Sequence, residues 1–351
     1  MPAAVISEPA HLYLRLAANW LLHPAAQEAL RLADGVEAAG QMRPLAIGDP
    51  EPRPGLVERF HAACDRNRIR VVRSMHSVES YNTPARRHGI QLASPAQFHD
   101  NLRLLRGQIR LGAALRRPPE GPSLLVLHPG AAWRDDLEAS VQNIARLLIA
   151  AAPCAVENHV RLALETEPIS PWARNVGQSI HDIARAVVLV NEWTSRRGLP
   201  PAACLNMDIE HSLISAWGRA DAVIEEIKAW GSLIEGLHFV SPKNVFHLIP
   251  PTVSRPWDRP AGLLRRRLFK PRTANAHNTI APPRAHPGLE RIMRAALRHT
   301  AWRNIGAVNF EALPAGYYAP RPRGRGCSIA DMLAGLRHLR RLLAETEAQA
   351  P

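Results

Sequence analysis

Short apolar runs that alternate with longer segments of helical period are the feature that most constrains the fold of this chain. Each run is too short for a typical helix, and most are bounded by glycine, proline or polar residues, as buried strands are. Eight such runs occur, at 12–18, 43–49, 69–76, 123–128, 161–166, 203–208, 236–241 and 306–312. They predict eight strands, separated by connections of variable length.

Segments between these runs have the three- and four-residue spacing of amphipathic helices. They span 24–39, 53–67, 135–151, 179–198, 216–230, 288–300 and 328–348. Strands that alternate with helices, without a sharp change of composition, predict one (β/α)₈ TIM barrel over residues 1–351. A doubly wound open sheet is the alternative that the same alternation allows.

The composition is that of a globular protein, with 46% hydrophobic and 21% charged residues among 351. No uninterrupted apolar stretch approaches the roughly 20 residues that span a bilayer, so we expect no transmembrane helix and no membrane partner. The N-terminus lacks the basic segment of a secretory signal. The four cysteines lie far apart, at Cys64, Cys154, Cys204 and Cys327. A reduced, cytoplasmic protein is therefore expected.

The chain is strongly basic, with a formal net charge of +13, which favours phosphate-bearing partners and allows nucleic acid as one of them. Much of this charge is arginine in a composition also rich in alanine and proline, which codon bias alone would produce. The segment 250–286 is rich in proline and arginine and predicts a long loop after the seventh strand. Its Arg265, Arg266, Arg267 and Lys270 are candidates for substrate phosphate contacts, with a solvated loop as the alternative.

Six consecutive strand candidates each deliver a histidine, aspartate or glutamate at or near the carboxyl end. In a TIM barrel these ends converge on one mouth, where the chemistry takes place. Imidazole and carboxylate are the ligands that zinc, manganese and iron accept. The residues are His76, His128, Glu165, Asp208 with His211 three positions later, His238 and Glu311. Together they predict a shared metal site.

The order of these residues, with the motifs HPG, LET, DIEH, LHFVSPK, NAH and FEALP, resembles the endonuclease IV branch of the xylose-isomerase-like TIM barrels. The resemblance runs from about residue 70 to 345. It implies three zinc ions that cleave a phosphodiester beside an abasic sugar. The ligands it implies are His76, His128, Glu165, Asp208, His211, His238, His277 and Glu311.

One departure from that family concerns the NAH segment, where Asn275 stands in place of an aspartate. An amide oxygen is a weaker ligand than a carboxylate, so one of the three metal positions is expected to be weak or empty. The Gly-rich turn that follows in the family is also absent. Within the resemblance, Glu165 bridges two metals and orients the nucleophile, and Glu311 is the second catalytic candidate. Zinc is the expected metal, at two or three ions, with manganese or iron as alternatives.

The leading hypothesis is therefore a metal-dependent phosphoester hydrolase, favoured by His76, His128 and His277 and by the basic charge. Its rival is a sugar or sugar-phosphate isomerase or epimerase of the same superfamily, and a metal-dependent oxidase is a smaller alternative. The rival needs one ion and a proton shuttle between two carboxylates. Its ligand set would be Glu165, Asp208, His238 and Glu311. The insertion over the mouth favours this small-molecule reading.

A third hypothesis is a barrel that binds nucleic acid or a protein partner without catalysis. Its only support is the basic charge. Aromatic residues make up 5% of the chain and form no stripe with basic residues, unlike the surfaces of single-strand binders.

Overall fold

Eight parallel strands close into a barrel in the computed structural model, which describes residues 11–16, 24–38, 55–76, 92–117, 121–169, 174–242, 279–282, 285–311 and 327–349. Each strand pairs with its neighbours in chain order, and β1 pairs with β8 to close the ring. The strands are β1 His11–Leu16, β2 Gly35–Ala38, β3 Val71–His76, β4 Ser123–Leu127, β5 Val160–Glu165, β6 Ala203–Asp208, β7 Ile234–Phe239 and β8 Ala307–Phe310. The (β/α)₈ prediction is confirmed, and the open sheet is excluded.

Helices alternate with these strands around the outside of the barrel. They are α1 Pro24–Leu32, α2 Leu56–Arg66, α3 Phe98–Leu115, α4 Leu137–Glu157, α5 Ile180–Ser195, α6 Ile209–Ser215, α7 Ala220–Trp230, α8 Leu289–His299 and α9 Ile329–Ala348. Short 3₁₀ turns occur at Pro95–Gln97, Trp133–Asp135, Gly231–Leu233 and Trp302–Asn304. The extent of the domain over 1–351 stays a prediction, as does the 250–286 loop, most of which lies outside the described residues.

Side-chain caps define where several helices begin. Asp136 accepts a hydrogen bond from the backbone N–H of Ala139 at 2.9 Å and starts α4. Ser179 and Ser328 cap α5 and α9 in the same way. A cap satisfies a backbone donor that the first helical turn leaves without a partner. These residues fix the points at which the chain turns back along the outside of the barrel.

Helix α4 is the one described helix long and apolar enough to cross a membrane by length and composition. It lies between α3 and α5 in the outer layer, where it buries Val141, Ile144 and Leu148. A core-facing helix of a barrel needs the same apolar composition as a membrane span. Its place in the barrel therefore accounts for its sequence.

The second strand of the barrel lies inside a segment that was predicted to be helical. The sequence pattern extends one helix over 24–39, but α1 ends at Leu32 and Gly35–Ala38 forms β2 between β1 and β3. A strand of four residues is too short to show its own period, and pairing on both edges overrides the local helical pattern. The strand predicted at 43–49 lies outside the described residues. Helix α3, Phe98–Leu115, was not predicted at all.

Register aligns the carboxyl ends of the last three strands. Asp208 is the partner of His238 across β6 and β7, and His238 is the partner of Asn309 across β7 and β8. Partner residues in neighbouring strands present their side chains on the same face. Gly236 precedes His238 by two residues in β7. A glycine is required at this position because a Cβ would lie 2.3 Å from the amide oxygen of Asn206. The filled interior thus supports a row of polar side chains at the mouth.

Candidate metal centre

Four of the predicted ligands come together at the carboxyl ends of four consecutive strands. Glu165 ends β5, Asp208 ends β6, His238 lies in β7, and Glu311 follows β8 directly. One ligand atom from each lies within 4.8 Å of the others. Each of the four residues is at most 2% exposed. Three carboxylates and an imidazole around one point form a ligand set for a divalent cation.

Asp208 uses its two carboxylate oxygens differently. Oδ1 accepts a hydrogen bond from the backbone N–H of His211 at 2.9 Å and caps α6. Oδ2 is buried and makes no hydrogen bond with any described residue. A buried carboxylate oxygen without a donor is costly unless a cation supplies the missing interaction. One oxygen therefore anchors the helix while the other is left for a ligand.

His238 is fully buried between carboxylates. Its Nε2 lies 3.1 Å from Oε2 of Glu37. Its Nδ1 lies 3.1 Å from Oε2 of Glu311 and 3.5 Å from Oε1 of Glu165, without hydrogen-bond geometry to any described acceptor. One ring nitrogen is thus held by Glu37, and the other lies against the acids of the cluster. The residues fit a metal ion placed among them.

Burial and charge act in opposite directions on the pKa values of this site. Burial raises the pKa of Glu165, but the adjacent His128, His238 and His76 outweigh it and hold the pKa well below the usual range. Burial raises the pKa of Asp208, and His211 offsets this only in part. Burial lowers the pKa of His238, but Glu37 and Glu165 outweigh it and raise the pKa to about 10. Without a metal ion, His238 therefore carries the compensating charge.

A second group of three ligands shares Glu165. His76, His128 and Glu165 offer ligand atoms within 4.8 Å of one another. Nε2 of His76 lies 3.0 Å from Oε2 of Glu165, and Nε2 of His128 lies 4.0 Å from the same oxygen. His128 also contacts Glu167, with Nδ1 2.9 Å from Oε1. The structure thus brings the two predicted histidines to the cluster, on the side of Glu165.

His211 lies beside the cluster, and among the described residues it belongs to none of the ligand groups. Its Nδ1 donates a hydrogen bond to the carbonyl oxygen of Thr166 at 2.7 Å. Its predicted role as a ligand stays a prediction. His277, Asn275 and the predicted phosphate contacts Arg265, Arg266, Arg267 and Lys270 lie outside the described residues.

Glu37 is the site residue that the sequence analysis missed. It lies in β2, is fully buried, and forms a third ligand group with His76 and His238. The helix predicted over 24–39 is the reason, because an acid within a helical pattern is interpreted as an exposed residue. The signal that would have identified it is an acid within the short apolar stretch GVEA, which begins with a glycine. Among the described residues, seven strands, rather than six, therefore bring an acid or a histidine to the mouth.

The sequence model of the xylose isomerase-like TIM barrel family matches residues 27–258, well over half of the chain. The chain belongs to the xylose isomerase-like TIM barrel family. Members of this superfamily are enzymes, so the barrel is that of an enzyme. No functionally curated protein matches the chain.

Solved structures of the same fold cover nearly the whole of this xylose isomerase-like barrel. A D-tagatose 3-epimerase-like protein aligns with TM-score 0.58 at 13% identity, covering 97% of this chain and 99% of its own. A xylose isomerase domain protein from Planctomyces limnophilus gives 0.57 at 12%, covering 97% and 99%. A D-allulose 3-epimerase from Methylomonas sp., in complex with D-allulose, gives 0.55 at 16%, covering 95% and 98%. At these identities the likeness shows the shared fold.

Proposed function

We propose that this chain is a divalent-metal-dependent isomerase or epimerase that moves a proton between positions on a sugar. The observation that carries the proposal is the buried cluster of Glu165, Asp208, His238 and Glu311, with ligand atoms within 4.8 Å of one another. It is the one-ion ligand set that the rival hypothesis requires. The hydrolase hypothesis, which the sequence placed first, has less support from the solved structures of this fold.

We assign distinct roles to the residues of the cluster. Asp208 and His238 hold the metal, and Glu165 and Glu311 contact both the metal and the substrate. A bound divalent ion supplies polarisation of the carbonyl and neighbouring hydroxyl of the sugar. Glu165, whose pKa the neighbouring histidines hold well below the usual range, is ionised at neutral pH and able to accept a carbon-bound proton. The electron pair of the broken C–H bond forms a carbon–carbon double bond, and the π pair of the carbonyl moves onto its oxygen.

Glu311 completes the reaction from its position after β8. In an epimerisation one carboxylate removes the proton from one face of the carbon, and the other carboxylate delivers a proton to the opposite face. In an isomerisation the proton returns to the adjacent carbon. The epimerisation needs two acids on opposite faces of the reacting carbon, whereas the isomerisation can use one acid on a single face. Glu165 at the end of β5 and Glu311 directly after β8 supply the two carboxylates.

A sugar is the substrate class that the related folds support. Two of the three structures compared above are described as sugar 3-epimerases or similar to one, and one contains D-allulose. Nothing in these comparisons supports a nucleic-acid partner.

The cluster offers the metal three oxygen ligands and one nitrogen ligand. A site rich in oxygen ligands suits manganese or magnesium better than a site rich in thiols or imidazoles does. We therefore propose a manganese-type ion for this cluster.

A second candidate function, phosphoester hydrolysis, is supported by the group of His76, His128 and Glu165. A second ion there would share Glu165 with the first and make a two-metal site. Zinc is the metal expected in that case, since two of the three ligands are imidazoles. Metal content distinguishes the candidates, because the isomerase needs one ion per chain and the hydrolase needs at least two.

The test is solvent exchange on a panel of ketoses and aldoses. The protein, loaded with Mn²⁺, is incubated with each sugar in D₂O, and deuterium on carbon and new epimers are followed by NMR. We expect incorporation by the wild-type protein and its loss in Glu311→Gln. The matched control is Glu235→Gln, a buried acid of β7 that pairs with Arg161 and Asn304 away from the cluster. Absence of exchange on every sugar, with cleavage of a phosphodiester instead, would overturn the proposal.

A further inference from the structure

Glu37 is a fully buried residue whose carboxylate lies outside the four-ligand cluster. One of its two carboxylate oxygens contacts three side chains. Oε2 accepts hydrogen bonds from Ser74 Oγ at 2.6 Å and from Asn309 Nδ2 at 2.8 Å. The same oxygen lies 3.1 Å from Nε2 of His238. Three contacts on a single atom fix the position of this carboxylate more tightly than one ion pair would.

The donors come from three different strands, so the arrangement depends on the closed barrel. Ser74 in β3 is the register partner of Glu37 in β2. Asn309 in β8 is the register partner of His238 in β7. Glu37 therefore reaches across the interior to β7 and β8, where the side-chain amide of Asn309 holds it beside His238. This geometry aims the carboxylate at one ring nitrogen of one metal ligand.

We propose that Glu37 is a positioning residue that keeps the imidazole hydrogen of His238 on Nε2, so that Nδ1 presents its lone pair to the metal. This inference rests on the metal site of the proposed function. A neutral imidazole carries its hydrogen on either nitrogen, and the hydrogen bond made by one nitrogen decides which is left as ligand. Carboxylates that accept from the far nitrogen of a ligand histidine fix both the ring orientation and the tautomer.

The alternative is that Glu37 only fills the interior of the barrel, and the choice of side chain separates the two. The three contacts described above fall on Oε2, so a glutamine whose oxygen takes that place keeps these three interactions and loses the charge. A leucine keeps much of the apolar volume and loses the acceptor. A packing role tolerates leucine at least as well as glutamine, whereas the positioning role tolerates only glutamine.

The experiment measures metal binding rather than turnover. Wild type, Glu37→Gln, Glu37→Leu and the control Glu235→Gln are titrated with Mn²⁺ by calorimetry, and the Co²⁺-loaded proteins are compared by their visible absorption. We expect Glu37→Leu to bind Mn²⁺ roughly 10- to 100-fold more weakly and to change the Co²⁺ band. Glu37→Gln should lose less than about 10-fold and keep the band, because its oxygen still accepts from Nε2. Glu235→Gln should match wild type.

The outcomes separate this inference from the proposed function. A wild-type protein that binds neither Mn²⁺ nor Co²⁺ contradicts the metal site itself. A wild type that binds, with Glu37→Leu of equal affinity and identical Co²⁺ spectrum, overturns the role of Glu37 alone. If Glu37→Leu does not fold, Ser74→Ala tests the same point, because it removes one donor that orients Glu37. Several-fold weaker Mn²⁺ binding by Ser74→Ala is expected, and unchanged binding overturns the inference.

Discussion

Replacement of Asp208 by asparagine should stabilise the protein in the absence of metal and abolish the stability that metal provides. The carboxylate of Asp208 lies within 4.8 Å of two others, those of Glu165 and Glu311, in the buried cluster. Burial already raises its pKa, so the charge opposes folding when no cation is bound. The asparagine side chain has nearly the same shape and is a comparably good helix cap, so the start of α6 should be preserved.

The size of the effect follows from the spacing of the charges. At 4.8 Å, the upper limit of the spacing between ligand atoms in the cluster, two unit charges repel by about 3.5 kcal/mol at an effective dielectric constant of 20. Attraction to His238 and His211 offsets part of this, so a net gain of about 1–3 kcal/mol is expected. A chain of 351 residues has an unfolding entropy near 0.7 kcal/mol per kelvin, so the rise in Tm is about 1.5–4 °C.

The assay is thermal unfolding after treatment with a chelator and again with excess Mn²⁺. Wild type should gain Tm on adding Mn²⁺, and Asp208→Asn should start higher and gain little. The matched control is Asp136→Asn, which alters the corresponding cap of α4 at a residue that belongs to none of the ligand groups, and it should change neither value much. A chelated Asp208→Asn protein less stable than wild type, or one with an undiminished response to Mn²⁺, would refute the electrostatic reasoning.

Three further predictions concern the same site. Because the pKa of His238 is raised to about 10, metal binding must displace its proton. The apparent Mn²⁺ affinity should therefore rise with pH up to that value. Calorimetry in buffers of different ionisation enthalpy should show that about one proton is released per ion bound. Gly236→Ala would place a Cβ 2.3 Å from the amide oxygen of Asn206, so urea unfolding should show a loss of roughly 1–3 kcal/mol, and unchanged stability would contradict the tight interior. By elemental analysis, the His128→Ala variant should retain about one metal ion per chain, whereas the Glu165→Ala variant should lose that ion. Loss of metal from both variants would favour a two-metal site.

Much of the fold was predictable because strands that are buried on both faces have sequences that are short apolar runs. The runs ending near His76, Glu165 and Asp208 correspond to β3, β5 and β6. Their spacing, together with intervening helical periods, is enough to specify a barrel. Parallel strands then require that their carboxyl ends meet, which predicts the cluster without any measured distance.

What could not be predicted depends on contacts between distant parts of the chain. Strand β2 has four residues, and its identity comes from pairing with β1 and β3 rather than from its own pattern. Glu37 was hidden with it, although it contacts His238 from 201 positions away. The division of roles between the ring nitrogens of His238 is likewise invisible in sequence, because it depends on which acid faces which nitrogen.

The most direct test of the metal centre is the position of bound Mn²⁺ by anomalous diffraction from crystals of the wild-type protein. One anomalous peak is expected per chain, within about 2.0–2.4 Å of ligand atoms from Glu165, Asp208, His238 and Glu311. A peak of equal height at His76 and His128 would show a two-metal site and favour the hydrolase. No peak at these four residues would contradict the account.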